Sequence, residues 1–201
     1  MKLKKHKVFS VREITVAGML AAAASVLILI EIPMPMMAPF LSLDFSEVPV
    51  MLGGLLLGRA AGLLVIAVKN LLHLIFHGSH SMGIGDVANV TASCIYLFIT
   101  IALERRWKTR TGSIGALAVG TVCVSSAMLA VNYYFCFPAY ARLMGFTMDS
   151  IIKVVHAVNP AVTNVVTLLF YSLLPYNLIK YTLTSAIVFL MHERLERYLS
   201  K

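Results

Sequence analysis

An asparagine and a lysine stand three residues apart in a stretch otherwise fit for lipid, Asn177 and Lys180 in LLPYNLIKYTLTSAIVFLM. On a helix that spacing puts both on one face, where an amide that donates and accepts sits beside a strong donor. Such a pair can grip a ligand that presents carbonyl and ring-nitrogen acceptors. The alternative is a lysine snorkelling to the interface and an asparagine capping or joining helices, and the residues alone leave both open. A second polar set lies in VKNLLHLIFHGSH, where Lys69 and Asn70 fall mid-segment. A lysine there must face a bundle interior or a wet cavity, since exposure to lipid is costly, and a carboxylate such as Asp86 or Asp44 is its expected partner. His73, His77 and His80 follow at spacings of four and three. That spacing resembles a metal face, yet no carboxylate completes a zinc signature, so an intramembrane metal protein is kept only as an alternative and no metal ligand is assigned.

Asn132 closes a long uncharged stretch and precedes Tyr133, Tyr134 and Phe135; with Phe45, Tyr140 and Tyr176 these offer surfaces for stacking a planar ring or an interfacial aromatic belt. No GxxxxGK[ST] phosphate loop, GxSxG elbow, HExxH pair or paired carboxylates within a span occur. Hydrolytic chemistry of those kinds is excluded, and the expectation is a protein that is not an enzyme and needs no cofactor.

The elements that must hold these residues are membrane helices. Of 201 residues, 59% are hydrophobic and 13% charged, and the mean hydropathy is +0.85, outside the range of soluble domains. Six apolar segments are predicted, at 13–31, 46–58, 60–77, 86–103, 112–136 and 175–192, within one domain over 1–201. The net charge of +8 does not signal nucleic acid, because the charges sort by position. Thirteen of the seventeen lysines and arginines fall at the amino end, at Arg59, in ERRWKTR and in the tail. The positive-inside rule makes that side, with both termini, cytoplasmic. Glu31, Asp44, Glu47, Asp86 and Asp149 lean to the other side.

The basic MKLKKHK and the apolar run behind it resemble a signal peptide, but the run continues uncharged to Ile30, which predicts a retained first helix. Cys94, Cys123 and Cys136 read as buried thiols. The second segment is short: the uncharged Val48–Gly58 spans only about 16 Å at the helical rise. It follows EIPMPMMAPFLSLDFSEVP, too apolar and proline-rich for a solvated linker, read as a cap over the outer end of the bundle. Residues 137–174 are read as an outer loop with interfacial helical pieces, interrupted at Pro160, with a further helix within 161–174 left open. Pro175 is expected in the first turn of the last helix, where its missing N–H has no partner to lose. In the first segment, Ala17 and Ala21 within AGMLAAAAS are small residues that let a helix approach closely, either inside the bundle or from outside.

In this order the motifs AGMLAAAAS, LSLDFSEVPVMLGGLLLGRAAG, VKNLLHLIFHGS, GIGDVAN and PYNLIK, which cover most of the chain, resemble the substrate-binding S components of energy-coupling factor (ECF) vitamin transporters, in particular the riboflavin-specific ones. The resemblance implies an all-α bundle of six transmembrane helices, both termini cytoplasmic, with a structured outer loop between helices 1 and 2. It implies a cell-membrane protein that binds riboflavin as transported ligand beneath that loop. Its partners would be a transmembrane coupling protein carrying two ATPase subunits, docked on the first-helix face of Ala17 and Ala21, with lipid around it. Carried over by motif, Asn177 and Lys180 contact the flavin ring, with Asn132 a third contact; Leu43, Asp44 and Phe45 close over the ligand, and Asp86 and Asn89 lie near the ribityl hydroxyls. An S component for another vitamin or flavin derivative shares the scaffold and is the alternative.

Overall fold

Ser10 starts the first helix. Its hydroxyl accepts the Glu13 N–H at 3.2 Å while the Glu13 carboxylate accepts the Ser10 N–H at 2.8 Å, a reciprocal cap for backbone donors that lack helical partners. In the computed structural model, which describes residues 10–38, 40–79 and 81–199, that helix is α1, Val11–Leu27. A two-stranded antiparallel hairpin follows, β1 (Ile32–Pro33) and β2 (Ser42–Leu43), in register Ile32 to Leu43. Next come α2 (Glu47–Leu57), α3 (Arg59–Phe76), α4 (Ile84–Trp107), α5 (Arg110–Val131), α6 (Phe137–Met144), α7 (Met148–Val158), α8 (Val165–Leu168) and α9 (Leu174–Leu199).

α2 sits at the centre, against α1, α3, α4 and α9. Every residue from Glu47 to Gly54 is buried, which explains why this helix is short and apolar all round. α3 and α4 come close to it because glycines stand at the contacts: a Cβ on Gly54 of α2 would stand 2.7 Å from Ile101 Cδ1 of α4, and one on Gly62 of α3 would stand 2.7 Å from Leu97 Cδ1 and 3.2 Å from the Gly54 Cα. The lipid side shows the reverse pattern of a soluble protein, with Leu71, Val122 and Leu190 all more than half exposed on apolar helices. Among the described residues four helical runs are long and apolar enough to cross a membrane, Arg59–Phe76, Ile84–Trp107, Arg110–Met144 and Val165–His192. Two of the six predicted segments are shorter, at 17 residues for α1 and 11 for α2.

The region 137–174 departs from the prediction. α5 does not end at 136; it runs through a single π turn at Asn132–Cys136 into α6. The last helix likewise begins at Val165 and passes through a second π turn, Leu169–Leu173, into α9. The further helix within 161–174 therefore exists as an extension of α9, and only α7 resembles the expected loop piece. The expectation that Pro175 opens the last helix is corrected. Its ring cannot donate to the carbonyl of Tyr171, and that carbonyl instead accepts Asn159 Nδ2 at 3.3 Å, which removes the usual reason for a proline to break a helix. Pro138 stands in the same relation to the first π turn, one residue past the Phe137 N–H that bonds to the Asn132 carbonyl. Phe137, Ile151, Val155, Val162, Leu168 and Leu173 form a second core with Ala38 of the hairpin loop.

Candidate functional site

The hairpin loop is bolted to the carboxyl-terminal half by polar contacts. Ser172 Oγ accepts the Ala38 N–H at 2.8 Å, Asn159 donates to the Met36 carbonyl at 3.1 Å, and the Tyr176 hydroxyl donates to the Ser42 carbonyl at 2.6 Å. Beneath it opens a cavity of ≈ 710 Å³, walled by the hairpin, the ends of α1 and α3, α4, both π turns, and α9. A volume of about 300–1,000 Å³ is typical of small-molecule sites.

Asn177, Lys180, Asn132, Asp44, Asp86 and Asn89 all line this cavity. Leu43 and Phe45 do not: Leu41, Ser42 and Asp44 line it, while Leu43 is buried at 7% exposure. Tyr140 and Tyr176 also line it, whereas Tyr133 and Tyr134 point outward at 48% and 78% exposure. Asn132 and Asn177 each donate an amide N–H to the carbonyl four residues back, at 2.7 and 2.9 Å. That bond fixes each amide and leaves its second N–H and its oxygen for another partner. Ala17 and Ala21 are buried at 1% and 4%, packed within the bundle where α1 meets α2 and α3. They offer no outer face; the glycine and alanines exposed on α1 are Gly18, Ala22 and Ala23.

Behind the cavity runs a buried chain of charges that the sequence did not disclose. Lys180 Nζ donates to Asp44 Oδ2 at 2.7 Å, the two side chains 7% and 9% exposed. Asp44 Oδ1 accepts the Ser46 N–H at 2.9 Å and the Ser46 hydroxyl, whose oxygen in turn accepts from Lys69 at 3.0 Å. Lys69 pairs with Glu47 at 2.5 Å, both side chains wholly buried, and Ser93 donates to the same Glu47 oxygen. The partner of Lys69 is thus Glu47. Asp86, one expected partner, is held elsewhere, and Asp44, the other, is reached only through Ser46. Burial alone would raise the Asp44 carboxyl, but the Lys180 and Lys69 charges, with hydrogen bonds from Lys180 and Ser46, outweigh it and hold the group well below its ordinary value.

At the rim, His73 Nδ1 lies 3.1 Å from Asp86 Oδ1, and Ser79 donates to the other Asp86 oxygen at 2.7 Å. The His73 and His77 rings stack with centroids 5.2 Å apart, and Glu31 joins them from beyond the end of α1. His80, grouped with them by spacing, lies outside the described residues.

Residues 12–192 match the family model of the ECF transporter substrate-specific component. The chain is 31% identical to the riboflavin transporter RibU of Staphylococcus aureus, covering 94% of this chain and 93% of that one. It is 29% identical to the riboflavin transporter FmnP of Bacillus subtilis, over 95% of each. A solved structure described as the S component of a bacterial ECF transporter superimposes with a TM-score of 0.75 at 27% identity, covering 94% of this chain and 98% of that one. With its apolar spans, its lidded cavity and this match over nearly its whole length, the chain is a multi-pass membrane protein and belongs to the family of ECF transporter substrate-specific components.

Proposed function

We propose that this chain is the riboflavin-binding subunit of a vitamin uptake system and has no catalytic activity of its own. The observation that carries the reading is the convergence of Asn177, Lys180 and Asn132 on one lidded cavity. Their amide and ammonium groups suit the polar edge of isoalloxazine, with Tyr140 and Tyr176 at hand for its ring and Asp86 and Asn89 for ribityl hydroxyls. The relatives named as riboflavin transporters support the same substrate. The charge balance favours a neutral flavin: Glu31, Asp44 and Asp86 line the cavity against the single lysine Lys180, so a phosphate group would meet like charge.

The bundle has six membrane helices, counting α1 and α2, with both ends cytoplasmic. Gly58, between α2 and α3, lies against the Arg105 guanidinium at the end of α4. Arg110 stands over the Phe189 ring of α9 at 5.8 Å. These contacts gather the basic turns at one end, as the positive-inside rule requires of a cytoplasmic face. Uptake is driven by a membrane coupling protein and two ATPase subunits, and a partner helix meeting α1 would meet Gly18 and Ala22, where no atom stands within 4 Å of a Cβ added at Gly18.

The test is the visible absorption of protein purified in detergent, loaded with riboflavin and re-isolated, alongside Asn177→Ala and Lys180→Ala. A near-stoichiometric flavin band lost in both variants is expected. Folded protein that retains no flavin would leave the scaffold without this substrate.

A further inference from the structure

We propose that Glu31, His73 and His77 form a site for a divalent transition metal at the rim of the cavity. The three side chains come from two separated parts of the chain, and each offers a ligand atom within 4.8 Å of the others. All three line the cavity.

The state of the His73 ring carries the argument. Its Nδ1 is engaged by Asp86, which Ser79 holds in turn, while its Nε2 is buried with no hydrogen-bond partner among the described residues. A buried polar atom left unsatisfied calls for an explanation. A carboxylate fixing one imidazole nitrogen so that the other presents its lone pair is the usual support of a metal-bound histidine. His77 follows four residues later, its ring stacked on His73 at an interplanar angle of 24°. Two ligands of a tetrahedral ion with bonds of about 2.1 Å stand about 3.4 Å apart, so closure needs about an ångström of side-chain movement. Glu31 and His77 are exposed and can supply it without disturbing the core.

Two imidazole nitrogens and one carboxylate oxygen select ions of the Zn²⁺, Ni²⁺ and Cu²⁺ class over Ca²⁺ or Mg²⁺. With three protein ligands, a fourth position stays open toward the cavity. The sequence hid the site because its carboxylates, Glu31 and Asp86, lie outside the histidine motif.

The experiment uses the full chain purified on a tag without histidines, stripped with chelator, free of flavin and titrated with Co²⁺ as probe. One equivalent should develop a visible d–d band that Zn²⁺ displaces. His77→Ala and Glu31→Gln, both surface changes, should abolish it, and Asp86→Asn should weaken Co²⁺ binding about 10–100-fold. His6→Ala and His192→Ala should leave it unchanged. Absence of the band in the unaltered protein, or its survival in His77→Ala and Glu31→Gln, would overturn the site. The readout contains no flavin, so its failure and failure of the riboflavin reading are separate results.

Discussion

Lys180 is placed to do two things, and a double-mutant cycle with Asp44 separates them. It locks the hairpin to α9 through the 2.7 Å pair with Asp44, and it lines the cavity. Replacing only one member leaves the other charged in a site less than a tenth exposed, a situation that costs about 3–5 kcal/mol. Lys180→Met and Asp44→Asn should therefore each lower stability by about 3 kcal/mol, the lower bound because Ser46 still bonds to Asp44 and Lys69 is nearby. The double variant removes both charges and should recover most of the loss, ending within about 1 kcal/mol of the parent. Riboflavin affinity should behave differently. A lost polar contact to the flavin costs about 1–3 kcal/mol, or about 5–150-fold in Kd, and the double variant cannot restore it. Stability is read as thermal unfolding in detergent and affinity as quenching of flavin fluorescence. If the double variant regains riboflavin affinity along with stability, Lys180 is only a latch and the contact to the flavin is refuted.

Further outcomes follow from the same network and cavity. Lys69→Met leaves Glu47 charged with one oxygen that has no hydrogen-bond partner among the described residues, so it should cost about 3–5 kcal/mol in thermal unfolding, and Lys69→Met combined with Glu47→Gln much less. Because the Asp44 carboxyl is held below its ordinary 3.8, its contribution is fully present above that pH and is lost as pH falls further toward the folded value; acid titration should find the parent's stability advantage over Asp44→Asn shrinking only below about pH 4. Competition against bound riboflavin should show the phosphorylated flavin binding at least about tenfold more weakly, a penalty of about 1.4 kcal/mol or more for bringing phosphate to a cavity lined by three carboxylates; equal affinity would refute the charge argument.

The polar pair in PYNLIK was readable because a spacing of three on an apolar helix survives whatever the helix packs against. Lys69 announced a buried partner for the same reason, but not which one. Glu47 stands at the head of α2, where a carboxylate reads as a solvated cap, and only the burial of that whole helix turns it inward. Leu43, Asp44 and Phe45 were placed over the ligand only by motif resemblance, and that Asp44 alone of the three lines the cavity needed the fold. The alanines of α1 were visible as a packing stripe, yet Ala17 and Ala21 and their neighbours Gly18 and Ala22 differ only in which way the helix is rotated. The continuous helix through residues 132–144 stayed hidden, and the one through 165–175 was left open without its run into the last span, because NYYFCFP and LFYSLLP end in prolines and a local reading treats proline as a stop. The remedy for Pro175 comes from Asn159, twelve residues before the carbonyl it satisfies.

Each π turn holds one residue more than the α turn it replaces. Deleting a single residue from 133–135 or 170–172 would restore a uniform ladder and leave the helix on either side in the same rotational phase, because the extra residue is taken up within the turn itself. Both turns border the cavity, through Asn132 and Cys136 in one and Leu173 in the other. A one-codon loss at either place would thus change which side chains that turn itself presents to a ligand while the rest of the bundle keeps its contacts, a route by which one scaffold could acquire a new cargo without any substitution at all.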